Sequence, residues 1–213
     1  MGTVPKNIKN QTRFRPGLGE IMKNRYFLLR HGETIYQTEK KGILYPSLPE
    51  KNPICLTKRG IEQIKKVAKK LKDKKIGLIF SSDVSRTRQT AEIIAKELGL
   101  EINLDKRLRD VNFGIFSGKL KKEYQKLFSD RKEKFFKRPP RGESWNDVRE
   151  RVSCFLKEIE EKHKDKNILI VSHGDTLWLL AGIIKGLKDE EKFLKEKYKI
   201  LYPEVGQLIC PVK

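Results

Sequence analysis

Short apolar runs alternate with amphipathic segments along most of the chain. The runs at 26–29, 76–80 and 168–171 have the length and side chains of buried strands. Segments 57–71 and 84–98 instead repeat apolar residues every three or four positions, which predicts helices that pack on a core by one face. This alternation of strand and helix is typical of an α/β fold with a parallel sheet.

Polar residues mark where several helices should begin. Thr57 is a suitable N-cap for the first amphipathic segment. Ser144 and Asp147 have the spacing of a capping box and precede apolar residues at helical spacing up to Ile159. The apolar segment Leu177–Leu187 predicts a further helix, after the strand at 168–171. Together the pattern predicts a three-layer α/β/α architecture with a mostly parallel central sheet.

The two least regular parts of the chain lie at its start and between the predicted elements. Residues 1–21 are polar, rich in proline and glycine, and lack apolar periodicity, which predicts a flexible N-terminal arm before a single domain at 22–213. Met22, directly before the first strand, is an alternative translation start. Residues 111–142 mix aromatic and basic side chains and predict a short, partly helical lid, since long insertions in compact domains usually have a function.

Composition narrows the class of protein. The 213 residues include 48 Lys and Arg against 28 Asp and Glu, a formal charge of +20. Lysines alternate with glutamates on the predicted helix faces, which favours solvated surfaces over a dedicated anionic partner. With no long apolar run and no signal-peptide pattern, we expect a soluble, cytoplasmic protein with no membrane contact. Three widely spaced cysteines predict neither a disulfide framework nor a zinc site.

Two histidines occur in matching settings at predicted strand ends. His31 lies in FLLRHGET and His173 in LIVSHGDT, and each is followed by glycine. The carboxyl ends of parallel strands line the ligand crevice, so the two imidazoles would meet there if their strands were neighbours. Arg30 and Arg86 also lie at strand ends, and guanidinium groups bind phosphate oxygens in pairs. This set points to phosphoryl transfer to a histidine nucleophile.

Six segments resemble, in order, those of the histidine phosphatase superfamily, the phosphoglycerate mutase-like group. They are LLRHGET at 28–34, LTKRGIEQ at 56–63, SSDVSRTRQTA at 81–91, LRDVNFGIFSG at 108–118, RGESW at 141–145 and VSHGDT at 171–176. The resemblance runs from about residue 26 to the C-terminus. It implies a phosphoglycerate mutase-like fold with a short lid insertion, and chemistry that requires no metal and no organic cofactor.

The resemblance also assigns roles to individual residues. It implies that His31 forms a phosphohistidine, that Arg30, Arg86 and His173 bind the phosphoryl oxygens, and that Asp110 protonates the leaving group. The remaining substrate contacts that it implies are Glu33, Gln37, Glu143, Ser144 and Gly174.

The sequence departs from the family pattern at the presumed acid. Asp110 stands where the family usually has glutamate, one methylene longer, so Glu33 stays open as the proton donor, or as a cap of the turn after the strand. Gln37 and Ser117 stand where many members have asparagine and glutamate, which leaves their substrate contacts open. Asp110 can act as an acid only if burial raises its pKa.

Three functions remain to be compared. The first is a phosphomonoester hydrolase that acts on a small anionic phosphorylated metabolite. The second is a phosphoglycerate mutase, but only 32 residues lie between Asp110 and Glu143, whereas mutases of the family usually carry a longer insertion that seals the site against water. The third is a catalytically inactive, basic RNA-binding module built on 119–141, which would leave the two histidines without a role. Whether the chain forms a homodimer stays open.

Overall fold

A five-stranded sheet forms the centre of the protein, in the strand order β3-β2-β4-β1-β5. The computed structural model describes residues 22–46, 53–197 and 201–211. The predicted arm at 1–21 lies outside the described residues. The strands are β1 (Arg25–Arg30), β2 (Leu78–Ser81), β3 (Ile102–Leu104), β4 (Asn167–Ser172) and β5 (Leu208–Ile209).

Seven α-helices flank the sheet within the described part of the chain. They are α1 (Ile35–Thr38), α2 (Lys58–Leu71), α3 (Ser85–Leu98), α4 (Lys121–Gln125), α5 (Trp145–Lys162), α6 (Gly174–Ile184) and α7 (Glu190–Glu196). None of the described helices is long and apolar enough to cross a membrane.

The pairing of the strands confirms the mostly parallel sheet. Strand β4 lies between β1 and β2 and is parallel to both, while β3 extends the sheet beyond β2. The short β5 pairs antiparallel with β1 at the other edge. Strands β3 and β5 were not predictable from the sequence, because two or three residues are too few to show the alternation of a strand.

Side chains that alternate along the strands produce the predicted three layers. Phe27 and Leu29 of β1 pack with α2 and α3, in a cluster that includes Ile64 and Ile94. Tyr26 and Leu28 point to the opposite face and join α5 and α6 in the larger cluster. Because both faces of the sheet are covered, its central strands read as continuous apolar runs in the sequence. Trp145 and Trp178 belong to the larger cluster and are buried.

Both predicted helix caps are present. The Thr57 hydroxyl accepts a hydrogen bond from the amide of Gly60 at 3.0 Å, and Ser144 and Asp147 form a complete capping box at the start of α5. Helix α6 begins at Gly174, three positions before the predicted Leu177. The polar sequence of this first turn concealed the start of the helix, because its side chains serve the site described below instead of the core.

Glycine permits a close approach between the turn after β1 and helix α2. A Cβ atom at Gly60 would overlap the carbonyl oxygen of Glu33, and one at Gly32 would lie 2.8 Å from Cγ1 of Ile64. The amide of Thr57 donates to the same Glu33 carbonyl at 2.9 Å. The two segments therefore fix the position of the turn that carries His31.

The segment predicted as a lid is partly helical and anchored in the core. It contains α4 and two short 3-10 turns, Gly114–Phe116 and Lys132–Phe135. Tyr124 and Phe135 are buried in the larger cluster. Its backbone also pairs with residues 42–44, since the amide of Leu44 donates to the carbonyl of Lys119 at 2.9 Å. These contacts attach the segment to the loop that reaches the candidate site.

Candidate active site

The two strand-end histidines meet at the carboxyl edge of the sheet. Arg30 and Ser172, the last residues of β1 and β4, are register partners, so the next residue of each strand lies on the same edge. The ring centroids of His31 and His173 are 5.5 Å apart. Both side chains are buried. The predicted meeting of residues far apart in the sequence is confirmed.

The hydrogen bonds of His31 define which ring nitrogen can react. Its Nδ1 lies 2.9 Å from the carbonyl oxygen of Gly32. A carbonyl only accepts, so Nδ1 carries the proton and Nε2 keeps its lone pair. Burial, followed by the positive charges of Arg86 and Arg30, holds the pKa of His31 well below its usual value. The ring is therefore neutral near pH 7, and Nε2 is the nitrogen with the lone pair.

The hydrogen bonds of His173 require the opposite tautomer. Nη2 of Arg86 donates to its Nδ1 at 3.1 Å, and its Nε2 lies 3.1 Å from the hydroxyl oxygen of Ser82. Because a guanidinium group only donates, Nδ1 is the acceptor and Nε2 carries the proton. Burial and the nearby Arg86 also lower the pKa of His173. The Nε2–H group of His173 therefore donates to the Ser82 hydroxyl.

Two arginines supply positive charge to this edge. Arg86 is fully buried at the start of α3, and its guanidinium carbon lies 4.1 Å from the ring centroid of Tyr45. Arg30 donates from Nη1 to the carbonyl of Pro203 at 3.3 Å and lies 5.6 Å from the ring centroid of Tyr202. Arg88, two residues further along α3, is exposed and pairs with Glu92 one turn later.

Asp110 lies beside the same groups. Its Oδ2 is 3.7 Å from Nη2 of Arg86 and 3.9 Å from Nδ1 of His173. Burial raises the pKa of Asp110; Arg86 opposes this shift, and Asp175 adds to it. The direction is the one that a proton donor requires. The shorter side chain therefore still reaches the site, because its loop lies close to the two histidines.

Several side chains hold the Asp110 loop in place. The hydroxyl of Thr176 donates to the carbonyl of Arg109 at 2.9 Å, and Arg151 donates to the carbonyl of Asp110 at 3.0 Å. Glu143 binds Arg151 at 3.0 Å and accepts from the amide of Asn112 at 2.9 Å. Glu143 was expected to line the pocket; in the structure its carboxylate anchors the loop that follows Asp110.

Three other predicted substrate contacts have structural partners. Glu33 accepts a hydrogen bond from the Thr57 hydroxyl at 2.9 Å, which favours the structural alternative over a role as the acid. Gln37 closes a capping box with Thr34 at the start of α1. The Ser144 hydroxyl caps α5. The hydrogen bonds of these three side chains are thus made within the protein and give them structural roles.

Gly174 lies where the chain turns from β4 into α6, directly after His173. A Cβ atom there would be 2.5 Å from the hydroxyl oxygen of Tyr202 and 3.2 Å from the guanidinium carbon of Arg30. A side chain at this position would therefore displace an arginine of the site.

Within the described residues, no group of three or more His, Cys, Asp and Glu side chains is arranged to hold a metal ion.

Three residues of the site were not predicted from the sequence. Tyr45 places its ring 5.7 Å from the His31 ring and its hydroxyl 2.7 Å from the Gln37 amide nitrogen. Ser82 bonds His173, and Tyr202 lies against Arg30. Ser82 lies inside the segment 81–91 and directly after a strand, a position that could have identified it. Tyr45 and Tyr202 lie in loops, where no periodicity marks them.

A family comparison identifies this arrangement. The family model of the histidine phosphatase superfamily (branch 1) matches residues 26–195, a range that contains both histidines, both arginines and Asp110. The chain belongs to this superfamily. It is 34% identical over 170 residues to the "Probable phosphoglycerate mutase GpmB" of Escherichia coli O139:H28, with 76% of this chain and 74% of the relative covered.

Solved structures support the same fold. The mycobacterial glucosyl-3-phosphoglycerate phosphatase has a TM-score of 0.69 and 22% identity, with 86% of this chain and 88% of that one covered. The alpha-ribazole phosphatase from Shigella flexneri has a TM-score of 0.70 and 24% identity, with 89% and 94% covered. The histidine phosphatase fold is thus confirmed, and the similar proteins include both phosphatases and a mutase.

Proposed function

We propose that the protein hydrolyses phosphomonoesters through a phosphohistidine on Nε2 of His31. The observation that carries the proposal is the opposite tautomers of the two buried histidines, 5.5 Å apart. One ring offers a lone pair and the other an N–H group, which are the two functions that an attack on a phosphoryl group needs. The substrate class is a small anionic phosphorylated metabolite.

In the first step, Nε2 of His31 forms a bond to phosphorus while the bond to the leaving oxygen breaks. Arg30, Arg86 and His173 neutralise the charge on the phosphoryl oxygens, and most of the acceleration comes from positioning and this neutralisation. Asp110 gives its proton to the leaving oxygen, so the product is a neutral alcohol. The phosphohistidine and the Asp110 carboxylate remain.

In the second step, water attacks phosphorus and the bond to Nε2 breaks. The Asp110 carboxylate takes a proton from the water, which restores the starting protonation state and releases inorganic phosphate. Every proton and electron pair is accounted for by the chain, the ester and water. The proposed reaction therefore requires no metal and no organic cofactor.

The test is hydrolysis of p-nitrophenyl phosphate by the native sequence and by His31→Ala, with His163→Ala as the matched control. His163 ends α5, away from the edge of the sheet that carries the site. We expect turnover that disappears only in His31→Ala, and a phosphorylated protein that is labile in acid, as phosphohistidine is. Equal rates in the native protein and His31→Ala would refute the proposal.

The mutase remains a second candidate because of the similarity to the E. coli relative. A mutase returns the phosphoryl group to another oxygen of a substrate, so it converts 3-phosphoglycerate to 2-phosphoglycerate with little release of inorganic phosphate. The two functions are separated by measuring both products in one reaction. The short segment between Asp110 and Glu143 favours release of phosphate to water.

A further inference from the structure

A second cluster of charged residues lies beside the phosphoryl site. Asp175, on the first turn of α6 and two residues after His173, binds the ammonium group of Lys197 at 2.7 Å. Lys197 is buried, and its Nζ lies 3.8 Å from the ring centroid of Trp178 and 4.3 Å from that of Trp145. Its charge is therefore compensated by one carboxylate and by the faces of aromatic rings.

Lys134, from the lid segment, adds a second cation to this cluster. Its Nζ lies 5.0 Å from the ring centroid of Tyr124 and 5.4 Å from that of Trp145. The Lys134 side chain is half-buried, and its ammonium group has no hydrogen bond or ion pair with any residue that the structure describes. Lys134 and Lys197 thus share the Trp145 ring, but the one carboxylate of the cluster is bonded to Lys197.

Aromatic contacts connect this cluster to the phosphoryl site. Nζ of Lys197 lies 4.9 Å from the centroid of the Tyr202 ring. The guanidinium carbon of Arg30 lies 5.6 Å from the same centroid. Burial is the main cause of the raised pKa of Asp110 and of Tyr124; the Asp175 carboxylate adds to both shifts, and Asp110 adds to that of Tyr124. Tyr202 therefore connects the cluster of Lys134, Lys197 and Asp175 to Arg30 of the phosphoryl site.

The electrostatics of Lys134 agree with a site that lacks its anion. Burial lowers the pKa of Lys134 to about 8, with Asp175 opposing the shift and Lys197 adding to it. The group is still mostly protonated at pH 7, so a half-buried charge is kept without a counter-ion. The nearby cations Lys121 and Arg131 are exposed and screened by solvent. Among the described residues, Lys134 and Lys197 thus share one carboxylate, Asp175, and Lys134 contacts only aromatic ring faces, which leaves room for one further negative charge.

We propose that Lys134, backed by Lys197, binds a second anionic group of the substrate, a carboxylate, beside the phosphoryl site. The inference rests on the proposed phosphatase function, since it places the substrate's phosphate at His31. The leaving group would then extend from Asp110 toward Trp145 and present its carboxylate to the Lys134 ammonium. Lys134 is accordingly a specificity-determining residue: it selects phosphorylated acids over neutral phosphate esters.

Binding to a His31→Ala protein tests this without turnover. Two matched pairs of ligands differ only by a carboxylate: 3-phosphoglycerate against glycerol 3-phosphate, and 4-carboxyphenyl phosphate against phenyl phosphate. Calorimetry in the His31→Ala background gives the ratio of the two dissociation constants for each pair. We expect the carboxylated ligand to bind about tenfold more tightly in at least one pair, as one charge-assisted contact would provide.

Lys134→Met in the same background should reduce that ratio to about one, while phenyl phosphate, which lacks the carboxylate, binds as before. The unchanged binding of phenyl phosphate also shows that the variant is folded. Lys132→Met is the matched control, because Lys132 lies on the same turn but is exposed and paired with Glu191; it should keep the ratio.

Two results would overturn the proposal: no preference for the carboxylate in either pair, or a preference that persists in Lys134→Met. Failure of the phosphatase function is a separate result. It would appear as the absence of His31-dependent hydrolysis of p-nitrophenyl phosphate, whatever the binding ratios are.

Discussion

The turns at 30–34 and 172–176 share the order histidine, glycine, acid, threonine, yet their side chains form different contacts. In the first turn, His31 donates from Nδ1 to the next carbonyl and keeps Nε2 available. In the second, His173 accepts at Nδ1 from Arg86 and carries its proton on Nε2. The tautomer of His31 is set by the carbonyl of the adjacent Gly32, whereas that of His173 is set by Arg86 and Ser82, which come from other parts of the chain.

The acids and threonines of the two turns also differ. Glu33 accepts a hydrogen bond from Thr57, the N-cap of α2, whereas Asp175 binds Lys197 in the charged cluster beside the phosphoryl site. Thr34 caps the short α1, whereas Thr176 supports the carbonyl that precedes Asp110. The first turn is thus tied to the helices α1 and α2, and the second to Lys197 and to the loop that carries Asp110. Equal sequence patterns acquire separate functions through their neighbours.

The largest expected effect is the loss of the nucleophile. His31→Ala should reduce kcat for p-nitrophenyl phosphate by about ten-thousandfold or more, because no other ring offers an available nitrogen at phosphorus. The measurement is steady-state hydrolysis, with binding of phosphate by calorimetry to show that the site remains. A residual rate within tenfold of the native protein would contradict the difference between the two turns.

The second histidine should matter less. His173→Gln retains an N–H donor, whereas His173→Ala removes it, so we expect the alanine variant to lose about a hundred- to a thousandfold in kcat and the glutamine variant to lose less. Both proteins should still form the phosphohistidine, more slowly, in a rapid-quench experiment. If His173→Ala abolished the intermediate and His31→Ala did not, the assignment of the nucleophile would be reversed.

Asp110→Asn should separate substrates by their leaving groups. We expect about a hundredfold or greater loss with an alkyl phosphate, whose leaving oxygen needs a proton, and a much smaller loss with p-nitrophenyl phosphate. Since burial raises the pKa of Asp110, the native rate with the alkyl ester should fall as pH rises through that pKa and the acid form is lost. The variant should lack this decline.

The same pH profile reports on His31. Its pKa is lowered, so the ring is unprotonated above that value and no loss of activity from its protonation is expected near its ordinary value of 6.5.

Equal losses with both leaving groups in Asp110→Asn would assign Asp110 a positioning role in place of proton donation.

The smallest expected effect compares the two threonines. Thr176→Val leaves the carbonyl of Arg109 without its partner in a buried region, at a cost of about 1–3 kcal/mol in the free energy of unfolding. Thr34→Val removes a helix cap, at a cost of about 1 kcal/mol. Denaturant unfolding measures both. Only Thr176→Val should also change the pH profile of the alkyl ester, because only Thr176 supports the Asp110 loop.

Much of the scaffold was predictable because it depends on local patterns. The apolar run around Leu28, the amphipathic period of α2 and the caps at Thr57 and Ser144 each result from interactions within a few residues, so the sequence shows them directly. The short β5 and the early start of α6 were not predictable. Both depend on contacts with distant parts of the chain: β5 forms by pairing with β1, and the first turn of α6 has side chains that contact the site.

The chemistry divides in the same way. The sequence alone determined that His31, His173 and Arg30 stand at strand ends and that Arg86 follows another strand, and therefore that a phosphoryl site was the best interpretation. Tertiary structure decided that Arg86 lies in the first turn of α3, and it decided the tautomers, the raised pKa of Asp110 and the charge cluster around Lys134. The physical reason is that strand-end position follows from local hydrophobic pattern, whereas protonation and charge compensation depend on burial and on partners many residues away.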